Sequence, residues 1–267
     1  MASEVLTPRS IAGLTPGRVQ ERSPWLNMMV YALSGWGKTT LAGSASVVDG
    51  MAPVLAIDAE GGSESLRHSY PDVEFIRITN WEQSVEVYSD IFDQVSRSVF
   101  PYNTIIVDSM NECQKYGMNS IMKKVVKKAE EKGEERDEEV PSKREYLINL
   151  EQMRRFTRGY RDLEVHTIFT CLCASYRDEM TGKVNNQPLL TGKFQAEVPA
   201  LIDEVWYGYK REIGDGDKKK MTRILLTDAT DTTVAKSRNG TLPQTILEPT
   251  MTDLFKYLTS SGAKKNG

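Results

Sequence analysis

The chain of 267 residues is 39% hydrophobic and 27% charged, and its formal net charge is −3. Such a composition can bury a sizeable core, in one large domain or two small ones. It excludes a polycation that grips nucleic acid through a global field, so any such site must be a local basic patch. No stretch approaches the ~20 apolar residues of a membrane span, and the N-terminus has no apolar core of the signal-peptide kind. A cytoplasmic protein without a membrane partner is expected.

In chain order, residues 1–24 mix Pro, Gly, Ser and charge without periodicity and read as a flexible arm. "NMMVYAL" then reads as a buried strand and "KTTLAGSASVV" as a helix. "APVLAID" and "VEFIRI" are strands; "EQSVEVYSDIFDQVSRSV" has apolar residues at three-and-four spacing and is a helix. "YNTIIVDS" and "VHTIFTCLCA" are further strands. This alternation predicts an α/β fold, a mostly parallel sheet flanked by helices.

A charged segment, 115–161, interrupts the pattern with Gly133 and Pro141 inside it. It reads as a solvated helix, a mobile tip and a second helix, or else as an interaction arm. "SYRDEMTGKVNNQPLLTGKF" is rich in turn residues and long for a connection, which marks a functional loop. "DEVWYGYKREIGDGDKKKMTRILLTD" predicts two antiparallel strands around a Gly/Asp turn, with Lys218, Lys219 and Lys220 solvated beside it. A short amphipathic helix and a loose tail, 261–267, end the chain. The expected organisation is arm, one domain over 25–260, and tail. The three cysteines and two histidines, His68 and His166, are too few at ligand spacing for a metal centre; Cys171 and Cys173 read as buried free thiols.

"VYALSGWGKTTLAG" carries the chemistry. Gly, four residues, Gly-Lys-Ser/Thr is a phosphate-binding loop, and here Ala32 holds the first position while Gly37, Lys38 and Thr39 hold the last three. A strand precedes it and a helix opens at the lysine. Backbone N–H groups of such a loop wrap phosphate oxygens, and the positive helix end adds to the field. Ser34, Gly35, Trp36, Gly37, Lys38, Thr39 and Thr40 are the expected nucleotide contacts. Lys38 is expected at the β- and γ-phosphates, and the Thr39 hydroxyl on Mg²⁺. The Ala32 methyl is tolerable at negative φ, and the bulky Trp36 can point outward. Two strand ends add carboxylates. Asp108 could hold Mg²⁺ through water or cap the next helix. Asp58 and Glu60 follow another strand, and Glu60 could deprotonate an attacking water or simply sit in a capped turn.

Together "VYALSGWGKTTL", "VLAIDAEGG" and "YNTIIVDSM" resemble the phosphate loop, the catalytic-glutamate strand and the Mg²⁺-aspartate strand of the RecA family. "PLLTGKFQAEVPALIDEVWYGY" and "VAKSRNGTLPQTILEPTMTDLF" are similar to a narrower group, the compact RecA-like ATPases of bacteriophages that include the Sak-type single-strand annealing recombinases. The resemblance implies a RecA-like P-loop core with a C-terminal antiparallel extension. It implies an ATPase using ATP and Mg²⁺ that assembles as a ring or filament on single-stranded DNA, with phage recombination or replication proteins as partners. Lys38 and Thr39 would bind phosphate and metal, Glu60 would activate water and Asp108 would support the metal. "AKSRNG" is similar to the segment that reaches a neighbouring subunit's nucleotide, which makes Lys236 and Arg238 trans-acting fingers or else surface charges. DNA would lie on the loop from Tyr176 to Phe194, held by Arg177, Lys183 and Lys193 with Tyr176 and Phe194 available to stack bases, or else this is a surface loop with a few lysines. In the family the strand matching "IFTCLCA" ends in a polar γ-phosphate sensor; here Leu172 and Cys173 stand nearest, with Ser175 one register further. A weakly hydrolysing mediator or loader, or a helicase- or packaging-type motor, are the rival readings.

Overall fold

The computed structural model describes residues 25–216 and 219–260, together with Ala12. The rest of the expected arm, the expected tail and Lys218 lie outside the described residues.

The sequence alternates strand and helix as far as the middle of the chain. β1 (Asn27–Ala32) leads to α1 (Lys38–Gly43), β2 (Val54–Asp58) and β3 (Glu74–Arg77). α2 (Trp81–Ser96), β4 (Thr104–Asp108), α3 (Met110–Glu130) and α4 (Lys143–Arg161) follow. Then come β5 (His166–Arg177), β6 (Val184–Pro188), α5 (Phe194–Leu201), β7 (Glu204–Ile213) and β8 (Lys220–Leu226). β9 (Lys236–Ser237), β10 (Thr245–Leu247) and α6 (Met251–Thr259) complete the described part.

The strands join one sheet in the order β10-β8-β7-β1-β5-β4-β2-β3, with β6 attached to β5 and β9 to β7. From β7 to β3 every pairing is parallel. β8 and β10 extend the sheet antiparallel. The fold is thus α/β, a mostly parallel sheet flanked by helices with an antiparallel C-terminal extension.

Burial on both faces explains why β1, β2 and β4 are near-continuous apolar runs. Met29 and Tyr31 face a core shared with Val107, Phe169, Trp81, Met153 and Phe156. Met28, Val30 and Ala32 face a second core with Leu41, Ala45, Met251 and Leu254. Helices α2 to α5 therefore cover one face, and α1 and α6 the other.

The charged segment resolves into two helices, as its composition predicts. Ser142 starts α4 with a capping box whose other half is Glu145. The long turn-rich segment differs from the loop expected there. β5 runs on to Arg177 and pairs antiparallel with β6, so 173–188 is a hairpin. Phe194 opens α5 and is fully buried, because the apolar side of that short helix closes the first core. It cannot stack a base.

Candidate functional site

Parallel pairing sets the carboxyl ends of β1, β2 and β4 along one edge of the sheet. Asp58 and Asp108 are direct register partners there. The turn 33–37 leaves β1 at the same edge and enters α1 at Lys38. Gly35 (φ +73) and Gly37 (φ +106) adopt left-handed backbone that a side chain would resist. Ala32 ends β1 fully buried in the second core, so the absent glycine is replaced by a packed methyl group.

Lys38 is only 8% exposed. Its Nζ donates to the carbonyls of Ala32 and Leu33, each at 3.4 Å. Burial lowers its pKa, while Glu60 and then Asp108 pull it back up. Both carboxylates are therefore within electrostatic reach of the ammonium. The Thr39 hydroxyl donates to Asp108 Oδ2 at 2.8 Å, and the Thr170 hydroxyl donates to Asp108 Oδ1. Burial raises the Asp108 pKa against those two bonds, and Asp58 adds to the rise. A hydroxyl and a buried carboxylate side by side are hard oxygen donors, the set that suits Mg²⁺. Gly62 closes this corner: a Cβ there would collide with Asp108 Oδ2 and stand 3.1 Å from Thr39 Oγ1.

Asp58 has a structural duty. Its Oδ1 accepts from the N–H groups of Glu60 (3.1 Å), Gly61 (2.5 Å) and Gly62 (3.2 Å). Its Oδ2 accepts from the Ser63 N–H at 3.1 Å and the Ser63 hydroxyl at 2.5 Å. Arg77 adds an ion pair at 2.9 Å. Burial pushes the carboxyl up, but these partners outweigh it and its pKa is lowered. The Glu60 backbone is tied into this knot, while its side chain is exposed and within electrostatic reach of Lys38.

Several expectations change. Trp36 does not point outward: it is 3% exposed, its Nε1 donates to the Tyr209 carbonyl at 2.9 Å, and it lies against Gly208, where a Cβ would clash with the ring. Its backbone alone is left to meet a ligand, beside Ser34 and Gly35, which are exposed, and Thr40. No expected sensor residue meets the carboxylates. Ser175 bonds Asn186 at 2.7 Å, and the Leu172 N–H donates to Asn111 Oδ1 at 2.6 Å. Cys173, between them in the chain, is buried, and its thiol lies within electrostatic reach of Lys38. The β5 side chain that bonds Asp108 is Thr170, two residues before Leu172, which the strand pattern did not single out because threonine fits a buried strand equally well.

Lys236 and Arg238 stand elsewhere. Lys236 pairs with Val205, whereas Ala32 pairs with Gly208, about 10 Å further along β7 at the strand's rise. They thus belong to the opposite end of the sheet from their own chain's loop. Lys236 Nζ donates to the Pro199 carbonyl at 2.6 Å, and Arg238 pairs with Asp203. On the hairpin, Tyr176 is 51% exposed, Arg177 is exposed and bonds Gly182, and Lys183 pairs with Asp231. Lys193 is exposed at the start of α5.

Residues 26–239 match the family model described as AAA domain, and the chain belongs to that family. None of the curated proteins matches it. Among solved structures, one titled as the RadB recombinase is 14% identical, with a TM-score of 0.46, over 84% of this chain and 87% of that one. No helix among the described residues is long and apolar enough to cross a membrane.

Proposed function

We propose that the protein binds ATP with Mg²⁺ and hydrolyses it, and that it does so in an assembly on single-stranded DNA during recombination or replication, as the phage Sak-type annealing proteins resembled by its sequence would. The observation that carries the nucleotide reading is the corner where Lys38, Thr39, Asp108 and Thr170 meet under a glycine-turned loop.

The chain's own groups divide the work. N–H groups of 34–40 bind and orient the phosphates. Lys38, desolvated and close to its carbonyls, supplies a fixed charge that needs no reorganisation. Thr39 and Asp108 would hold the metal, which neutralises phosphate charge when bound. Glu60, its backbone held by the Asp58 knot, accepts the proton of the attacking water.

Lys38→Ala should abolish both uptake and turnover of ATP. Glu60→Gln should keep uptake and lose about 10²–10⁴ in turnover, the span of general-base catalysis. Turnover of Glu60→Gln at the normal rate would remove Glu60 from its role. A second reading, a weakly hydrolysing mediator, draws on Lys236 and Arg238 being engaged by their own chain. Steady-state turnover that single-stranded DNA fails to raise would favour it.

A further inference from the structure

Two cations that the loop motif does not contain reach the phosphate loop from the far side. Lys210 on β7 and Arg223 on β8 are register partners and share the sheet face that carries α1. Lys210 Nζ donates to the Gly35 carbonyl at 2.8 Å. Arg223 Nη1 stands 3.1 Å from where a Cβ on Gly37 would be. The guanidinium is built into place. Its carbon lies 6.0 Å from the centroid of the Trp36 ring, and Trp36 is itself pinned on Gly208 and Tyr209. Glu248 accepts from Arg223 Nε at 2.9 Å and from the Arg223 N–H at 3.1 Å, and the Glu248 N–H returns a bond to the Arg223 carbonyl at 2.8 Å. Glu248 does this from left-handed backbone (φ +42), a conformation a non-glycine residue adopts at a cost. These bonds use the Nε edge and leave the Nη edge toward the loop.

We infer that Arg223 and Lys210 bind the nucleoside-side phosphate of the nucleotide, acting on their own chain's loop. The inference rests on the nucleotide reading above and adds where the ligand's other end goes. Thr39, Asp108 and Glu60 fix the metal-bearing end on the β4–β2 side of β1. β7 and β8 lie on the opposite side of β1, so a polyphosphate laid along the loop turns its nucleoside end toward them. An arginine held by one edge can present the other to a phosphate oxygen. Lys210 braces the tip of the loop and adds a second charge.

The test measures dissociation constants of Mg-ATP and Mg-ADP, together with KM and kcat, for the full chain and for Arg223→Gln, Arg223→Lys and Lys210→Gln. Both glutamine variants should weaken ATP and ADP alike by about tenfold, the size of one charge-assisted hydrogen bond. The loss should appear in KM more than in kcat, and Arg223→Lys should recover part of it. A loss confined to ATP would move the contact to the γ-phosphate and overturn the inference. So would unchanged constants in folded variants. Should Arg223→Gln fail to fold once Trp36 is uncovered, Arg223→Lys and Lys210→Gln decide, Lys210 being bonded to the Gly35 carbonyl. Normal uptake by the wild type and both glutamine variants defeats this inference alone; no uptake by the wild type defeats the nucleotide reading and this inference with it.

Discussion

His166 shows what burial does to one side chain in this fold. It is almost fully buried at the start of β5, between Trp25 and Phe255. Its Nδ1 accepts the Leu26 N–H at 3.0 Å, which a protonated Nδ1 could not do. Burial therefore pushes its pKa down to about 4, only partly offset by a bond to the Gly50 backbone. The unfolded chain takes up the proton near pH 6.5, so between that value and about 4 the unfolded state binds more protons. Stability from the neutral ring is complete above pH 6.5 and drains away as pH falls toward 4. Urea unfolding should show a wild-type loss on the order of 3 kcal/mol across that window which His166→Phe lacks. Equal slopes for the two proteins would contradict a buried neutral imidazole. At this scale the sequence is most readable where a recognisable motif carries the residue, as for the contiguous loop and for Asp108 at the end of its strand. Lys38, Thr39 and the glycines lie in one contiguous turn, so their arrangement is visible in the spelling. Thr170 reaches Asp108, and Arg223 and Lys210 reach the loop, through strand order, and nothing beside them in the chain announces it. Trp36 turns inward for the same reason: the flat patch that receives it is Gly208, on a strand whose position beside β1 no local pattern reveals.

Among elements, the β5–β6 hairpin departs most from its sequence. The turn-rich composition of 175–194 suggested a loop, yet β5 extends because Asn186 and its neighbours supply ladder partners and side-chain bonds to Ser175. Two contacts tie the segment after the hairpin to α3, which starts just past Asp108. Asn111 bonds the Leu189 carbonyl, and Gln114 Oε1 accepts the Thr191 N–H at 2.7 Å. Any DNA-binding role of this hairpin would therefore be tied through these bonds to the helix that follows Asp108. The basic residues are unequal. Lys183 is already neutralised by Asp231, whereas Arg177 and Lys193 make no ion pair among the described residues. Arg177→Gln and Lys193→Gln should each lower the salt slope of single-strand binding by about 0.7, the value for one phosphate contact, and Lys183→Gln by much less. Equal slopes across the three variants would remove the hairpin from the DNA path.

For the whole molecule, the decisive fact is that loop and proposed fingers occupy opposite ends of the sheet. A subunit cannot bring Lys236 to its own nucleotide without dismantling β9, so the finger role requires a neighbour. Mixing offers a direct check. Lys38→Ala subunits lack a working loop but keep Lys236; Lys236→Ala subunits have the reverse defect. If each alone is inactive and the mixture hydrolyses ATP, the two halves complement across an interface; a mixture as inactive as its parts would leave Lys236 as a brace on Pro199. The alternation of strand and helix made the layered sheet legible, and the apolar runs located its centre. The antiparallel flank beyond β7 was only half legible, since β9 and β10 are two and three residues long and exist through their partners rather than their own pattern.

The proposed function depends on a nucleoside triphosphate occupying the turn between β1 and α1. Calorimetric titration of the purified protein with Mg-ATP measures that occupancy without invoking DNA, assembly or turnover. Saturable uptake, one nucleotide per chain and lost in Lys38→Ala, is the expected result. An absence of saturable heat at millimolar Mg-ATP, or equal uptake by Lys38→Ala, would contradict the account.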